Sequence, residues 1–249
     1  MLSFSNLFTI LMIPHILGDF YFQTDKISSK KEKELKWVIY HSVIYGIVNV
    51  LFIKFIFKTI DFNIIAFLIV SHAIIDILKY YFISKPTSIN IFVIDQFLHL
   101  LFIFIITFCC LNKGISFIFN EYITQLFSIL NISLFEICSC VLKILLIHKP
   151  INIFIAFFMK PYKKSNQENK EDIKKENKDE IKAGRIIGTF ERMIMLFFIN
   201  IGQYSSIGLV LTAKSIARYD KISKSQSFAE YYLLGTLLST ISVLIISLI

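Results

Sequence analysis

Three pairs of histidine and aspartate, each spaced by one helical turn, are the residues of this chain best suited to chemistry: His15 and Asp19, His72 and Asp76, and, in reversed order, Asp95 and His99. Residues four apart share a helix face, so each pair presents an imidazole and a carboxylate side by side. Imidazole nitrogen and carboxylate oxygen are ligands for a divalent cation, zinc first, with iron and manganese as further choices. All six residues are therefore candidate ligands, and Asp19, Asp76 and Asp95 are also candidate general bases beside a metal-activated water. Gln23, Lys26, His41, Lys79 and Gln96 are placed to orient those ligands or balance their charge. Two other readings use the same residues: a proton relay, or a hydrogen-bonded network, with Asp76 on Lys79, that only ties helices together.

These polar residues stand in apolar surroundings. Apolar residues make up 55% of the chain and charged ones 18%, against roughly a quarter charged in soluble domains. They fall in blocks near the roughly 20 residues that cross a bilayer. Spans are expected at Phe4–Gln23, Lys36–Phe57, Ile64–Tyr81, Asn90–Cys110 and Leu134–Ile147, the last continuing past Pro150 as a bent or interfacial segment to Met159. Further apolar stretches run over Ile186–Ile201, Ser205–Ala213 and Ala229–Ile249, and Ser116–Ile129 reads as an interfacial helix. Met1 to Phe22 has no positive n-region and no cleavage site, so it is expected to be a retained first span. The fold class is all-α, a polytopic transmembrane bundle of about seven spans. Residues 184–213 are expected to form a C-terminal helical hairpin turning near Gly202. The organisation is 1–159, a membrane bundle with two related hairpins; 160–183, a charged cytoplasmic linker; and 184–249, C-terminal membrane helices. The cysteines Cys109, Cys110, Cys138 and Cys140 lie in or beside spans and read as small packing residues.

The net charge of +8 does not point to nucleic acid, because the lysines cluster in a few loops and form no basic stripe. By the positive-inside rule the loop with Lys26, Lys30, Lys31, Lys33 and Lys36 faces the cytoplasm, as do Lys85 and the linker, so the N-terminus lies outside. Counting inward at 1.5 Å per residue puts Asp19, Asp76 and Asp95 roughly 8–10 Å deep and the three paired histidines about 6 Å deeper. His41 falls near the aspartate level. Ionisable groups within spans are costly, so a cluster at matched depth is itself a functional signal.

A second polar set occupies the last third: Glu191, Arg192, Lys214, Arg218 and Glu230. Ion pairs, Glu191 with Arg218 or Arg192 with Glu230, would anchor the hairpin, and the cations Arg192, Lys214 and Arg218 would suit an anionic lipid headgroup.

The motifs His15-x-x-x-Asp19-x-x-x-Gln23-x-x-Lys26, His72-x-x-x-Asp76 and Asp95-Gln96-x-x-His99 resemble the bacterial membrane-protein family catalogued as domain of unknown function 3307. Ala183–Gly188 through Glu191-Arg192, Ile201–Tyr204, Ala213–Arg218 and Glu230–Ser239 are similar to that family's long form. The resemblance implies a bacterial cytoplasmic-membrane protein and a cytoplasmic regulator as partner, because genes of the family often lie beside those of regulators. The His-x-x-x-Asp helices also resemble, more loosely, membrane-bound metal-dependent hydrolases. Metal chemistry on a lipid or lipid-linked substrate is the leading expectation. The others are an ion- or proton-coupled transporter and a non-catalytic membrane partner.

Overall fold

In the computed structural model the chain is described over residues 2–82, 88–164 and 176–249, side chains of 163–164 and 176–182 excepted. Lys85 and residues 165–175 of the expected linker lie outside the described residues. Two compact units emerge, Met1–Leu145 and Leu146–Ile249.

The first unit begins with α1 (Phe4–Ile16), capped by the Ser3 hydroxyl, which accepts from the Asn6 N–H. A π-helical turn follows directly (Leu17–Tyr21), then a short helix α2 (Asp25–Lys31) capped by Thr24. Three long helices come next: α3 (Leu35–Ile56), α4 (Phe62–Phe82) and α5 (Ile89–Asn112). Helix α1 packs against α3 and α5, and α4 packs against both of those, so α1 is enclosed and buried along most of its length. The outward faces of α3, α4 and α5 carry exposed Val43, Ile47, Leu51, Val70, Ile74, Phe97, Leu101, Phe104 and Phe108. An apolar belt of this extent is consistent with hydrocarbon around it.

Residues 116–129, expected as one interfacial helix, are divided instead. Strand β2 (Ile118–Phe119) pairs antiparallel with β1 (Phe57–Thr59), and α6 is confined to Glu121–Ile129. Asn120 makes the break: its backbone N–H donates to the Ile56 carbonyl at 3.0 Å, and its side chain caps α6 by accepting from the Tyr122 N–H.

Helix α7 (Leu134–Lys164) continues past Pro150, as expected, and runs on through Pro161 as one helix, five residues beyond Met159. In the second unit, α8 (Glu176–Asn200) packs against α9 (Tyr204–Ala217) and α11 (Gln226–Ser247), with the short α10 (Tyr219–Lys224) between the last two. The core gathers Ile147, Met195, Leu196, Val243 and Ile246. Gly202 turns α8 into α9 with φ +72°, a left-handed conformation that glycine adopts without steric cost. Helix α9 has 14 residues and is about 21 Å long, short of the ~30 Å hydrocarbon core. Five described helices are long and apolar enough to cross a membrane: α3, α4, α5, α7 over Leu134–Tyr162, and α11.

Candidate metal centre

The first element that positions the site is a break in a helix. Pro14, inside α1, has no N–H to give, and the turn after α1 is π-helical. A π turn holds an extra residue, which shifts the face presented by everything beyond it. Asp19 sits in that turn and points into the bundle, buried; Gln23 and Lys26 fall past it and off the face they would share with His15 in a continuous α-helix. Gly18 permits a close approach from α3, since a Cβ there would lie 2.6 Å from Cδ2 of Tyr45. The Tyr45 ring therefore rests against the backbone of the turn.

From that position Tyr45 reaches two histidines. Its hydroxyl lies 3.4 Å from Nδ1 of His15, and its ring stacks on His72 with centroids 3.6 Å apart. His72 also stacks on His99, at 4.3 Å, and has His41 at 5.3 Å and His15 at 6.1 Å. Four imidazoles from α1, α3, α4 and α5 thus meet around His72, and all four are buried.

The carboxylates interleave with them. Asp19 Oδ1 accepts from His72 Nε2 at 2.7 Å and His41 Nε2 at 3.3 Å, and Oδ2 accepts from Gln96 Nε2 at 3.3 Å. Lys31 donates to both oxygens of Asp76, at 3.0 and 2.9 Å, and Lys79 donates to Asp95 Oδ2 at 2.9 Å. Burial works against the Lys31 ammonium, yet the carboxylates of Asp76, Asp19 and Asp95 outweigh it and raise its pKa above the ordinary lysine value. Asp19 is the carboxylate of the three with no ammonium beside it among the described residues. With neutral imidazoles, three carboxylates and two ammoniums leave the cluster one negative charge.

These residues fit a divalent cation. Three overlapping groups each bring their ligand atoms within 4.8 Å of one another: His15, Asp19 and His72; His41, His72 and Asp76; Asp76, Asp95 and His99. Several of the atoms concerned are buried without a hydrogen-bond partner: His15 Nε2, His41 Nδ1, His72 Nδ1, Asp95 Oδ1 and His99 Nε2. Burying an unpaired polar atom costs on the order of 1–3 kcal/mol, and a ligated cation removes that cost. The gap between His99 Nε2 and Asp95 Oδ1, 3.8 Å, is too wide for a hydrogen bond. It is close to the roughly 3.3 Å that separates two ligand atoms of a tetrahedral zinc.

The candidate residues do not all come together. His15, Asp19, His41, His72, Asp76, Lys79, Asp95, Gln96 and His99 converge; Gln23 is half-buried at the edge with its Oε1 unpaired, and Lys26 is exposed on α2. Lysine does enter from that segment, but it is Lys31, one and a half turns further along. Lys79 holds Asp95 and not Asp76, whose oxygens Lys31 occupies. Tyr45 also escaped the sequence reading, and its one signal there is its spacing one turn after His41 on a helix that faces three histidines.

In the second unit the polar residues pair differently from expectation. Glu191 takes Lys214 at 2.6 Å, one turn before Arg218, and Glu230 accepts from Gln226 on its own helix. Arg192 is 2% exposed and, among the described residues, donates to neutral acceptors: the Ile147 carbonyl, Ser239, Asn152 and Thr189. Arg192 and Lys214 are thus each engaged within the unit, by different partners.

Residues 7–127 match the model of a family described as Protein of unknown function (DUF3307). Every residue that converges on His72 falls within the matched stretch, whereas the motifs from Ala183 onward lie beyond it. Comparison with curated proteins and with solved structures yields no match.

Proposed function

We propose that this chain is a multi-pass protein of the bacterial cytoplasmic membrane, N-terminus outside, that holds one divalent cation, zinc by preference, between His15, Asp19 and His72 and uses it to hydrolyse a lipid or lipid-linked substrate. The carrying observation is the convergence of four buried imidazoles and three buried carboxylates with five of their polar atoms left unpaired. A bound zinc would supply Lewis acidity and a water ionisable near neutral pH. Asp19 is the ligand with the strongest claim, since its charge is the unbalanced one. His41 and Gln96 hold its oxygens in place, and Tyr45 orients His15 through Nδ1, leaving Nε2 for the ion. Asp95, whose Oδ1 is unpaired, is the candidate base for a water beside the ion.

The residual single negative charge favours one second reading, a proton held among the imidazoles of an ion- or proton-coupled carrier. Elemental mass spectrometry of detergent-purified protein, beside a His15→Ala/His72→Ala variant of equal fold, separates the two. About one metal ion per chain, absent from the variant, is the expected result. No metal in either would overturn the metal centre in favour of the proton.

A further inference from the structure

The metal reading above leaves the cluster with the wrong charge. Three carboxylates and two ammoniums sum to one negative charge; a divalent cation turns this into one positive charge in a buried place. Isolated buried charge is strongly disfavoured, so a loaded centre demands an anion. The two lysines show where it would enter. Their side chains are 13% and 19% exposed while the carboxylates they hold, Asp76 and Asp95, are 0% and 8% exposed, so the ammoniums form the outer layer of the cluster. Asp76 and Asp95 offer oxygens within 4.8 Å of each other, which sets Lys31 and Lys79 on adjoining carboxylates. An ammonium has three donors. Lys31 directs two bonds at Asp76 and Lys79 one at Asp95, which leaves N–H groups to give outward.

Resting on that metal reading, we propose that Lys31 and Lys79 are the docking site for a phosphate group, free or in a lipid headgroup, that binds beside the loaded cation. The one positive charge needs at least one negative charge in return, which a carboxylate or a phosphate both supply; only the phosphate also offers enough oxygens to meet two ammoniums and an ion at once. The lysines then have a double part. Without metal they neutralise Asp76 and Asp95, and with metal they turn their spare donors to the anion.

The full chain in detergent is titrated with labelled inorganic phosphate, with and without one equivalent of zinc, and compared with Lys31→Gln/Lys79→Gln. Zinc should strengthen phosphate binding by at least about tenfold, and the double variant should lose that gain. The same variant should hold zinc as tightly or more tightly, because two competing cations have left the carboxylates. A merely structural role for the lysines would weaken both. Should the double glutamine variant not fold, Lys31→Arg/Lys79→Arg keeps the charge and must keep phosphate binding, while Lys79→Gln alone must reduce it. Competition by vesicles of phosphatidic acid assigns the phosphate to a headgroup; binding of free phosphate that such vesicles leave unchanged assigns it to a soluble ion or ester. Zinc bound but phosphate indifferent to zinc or to the lysines overturns the docking site alone. Zinc not bound at all overturns the metal reading and the docking site with it.

Discussion

Lys31 grips both oxygens of Asp76 across 45 residues of chain, tying the short helix α2 to α4 in the middle of the bundle. Removing one partner of a buried pair strands the other, whereas removing both is tolerated far better. Lys31→Met should therefore destabilise the protein by about 3 kcal/mol, and Lys31→Met/Asp76→Asn should recover most of the loss. Denaturant unfolding in detergent, arranged as a double-mutant cycle, measures the coupling. Additive losses would mean that the pair contributes nothing.

Gly18 is the second point at which a small change should be felt. An added methyl meets the Tyr45 ring at 2.6 Å, and the ring is fixed in turn by its stack on His72. Gly18→Ala should cost about 1–3 kcal/mol through this overlap, visible as a lowered melting temperature. Tyr45→Leu in the same background should return part of it.

Asp19→Asn tests the centre of the cluster without changing its size. The amide puts an NH2 against either the two imidazole N–H groups at Oδ1 or the Gln96 N–H at Oδ2, and it takes away the unbalanced charge. Zinc affinity, read by competition with a chromophoric chelator, should fall at least about a hundredfold, in the range lost when ligands or their supports are altered. An unchanged affinity would move the ion to Asp76, Asp95 and His99.

Arg192→Lys should destabilise the second unit although the charge is kept. A single ammonium cannot reach the Ile147 carbonyl, Ser239 and Asn152 together, as the guanidinium does. The expected cost is about 2 kcal/mol, seen as faster proteolysis within α8 and α11. Arg192→Met should cost no less.

What the sequence disclosed and what it withheld divide along the range of the interaction. His15 with Asp19, His72 with Asp76 and Asp95 with His99 are one-turn relations, legible because helix geometry fixes them wherever an apolar block is long enough. The apolar blocks of α3, α4 and α5 were legible for the same reason. The π turn was not, because Pro14 and Gly18 are as compatible with a simple bend, and the displacement of Gln23 and Lys26 follows from it. The choice of Lys31 among neighbouring lysines was withheld too, since any of them reaches the interface and tertiary packing selects between them. Arg192 shows the same limit: its nearest acid in sequence is Glu191, yet the fold gives that acid to Lys214.

The distribution of lysines bears on how such a protein can be made. Asp76 and Asp95 each carry a cation drawn from the chain itself, Lys31 of α2 and Lys79 of α4, so both carboxylates can be balanced during assembly before any ion from outside is at hand. Asp19 alone travels uncompensated, and it lies in the turn where the first helix is already interrupted. On the proposed metal reading, assembly and loading are thereby separable: the empty protein can be made and stored, and the supply of metal can then determine how many copies are working at a given moment.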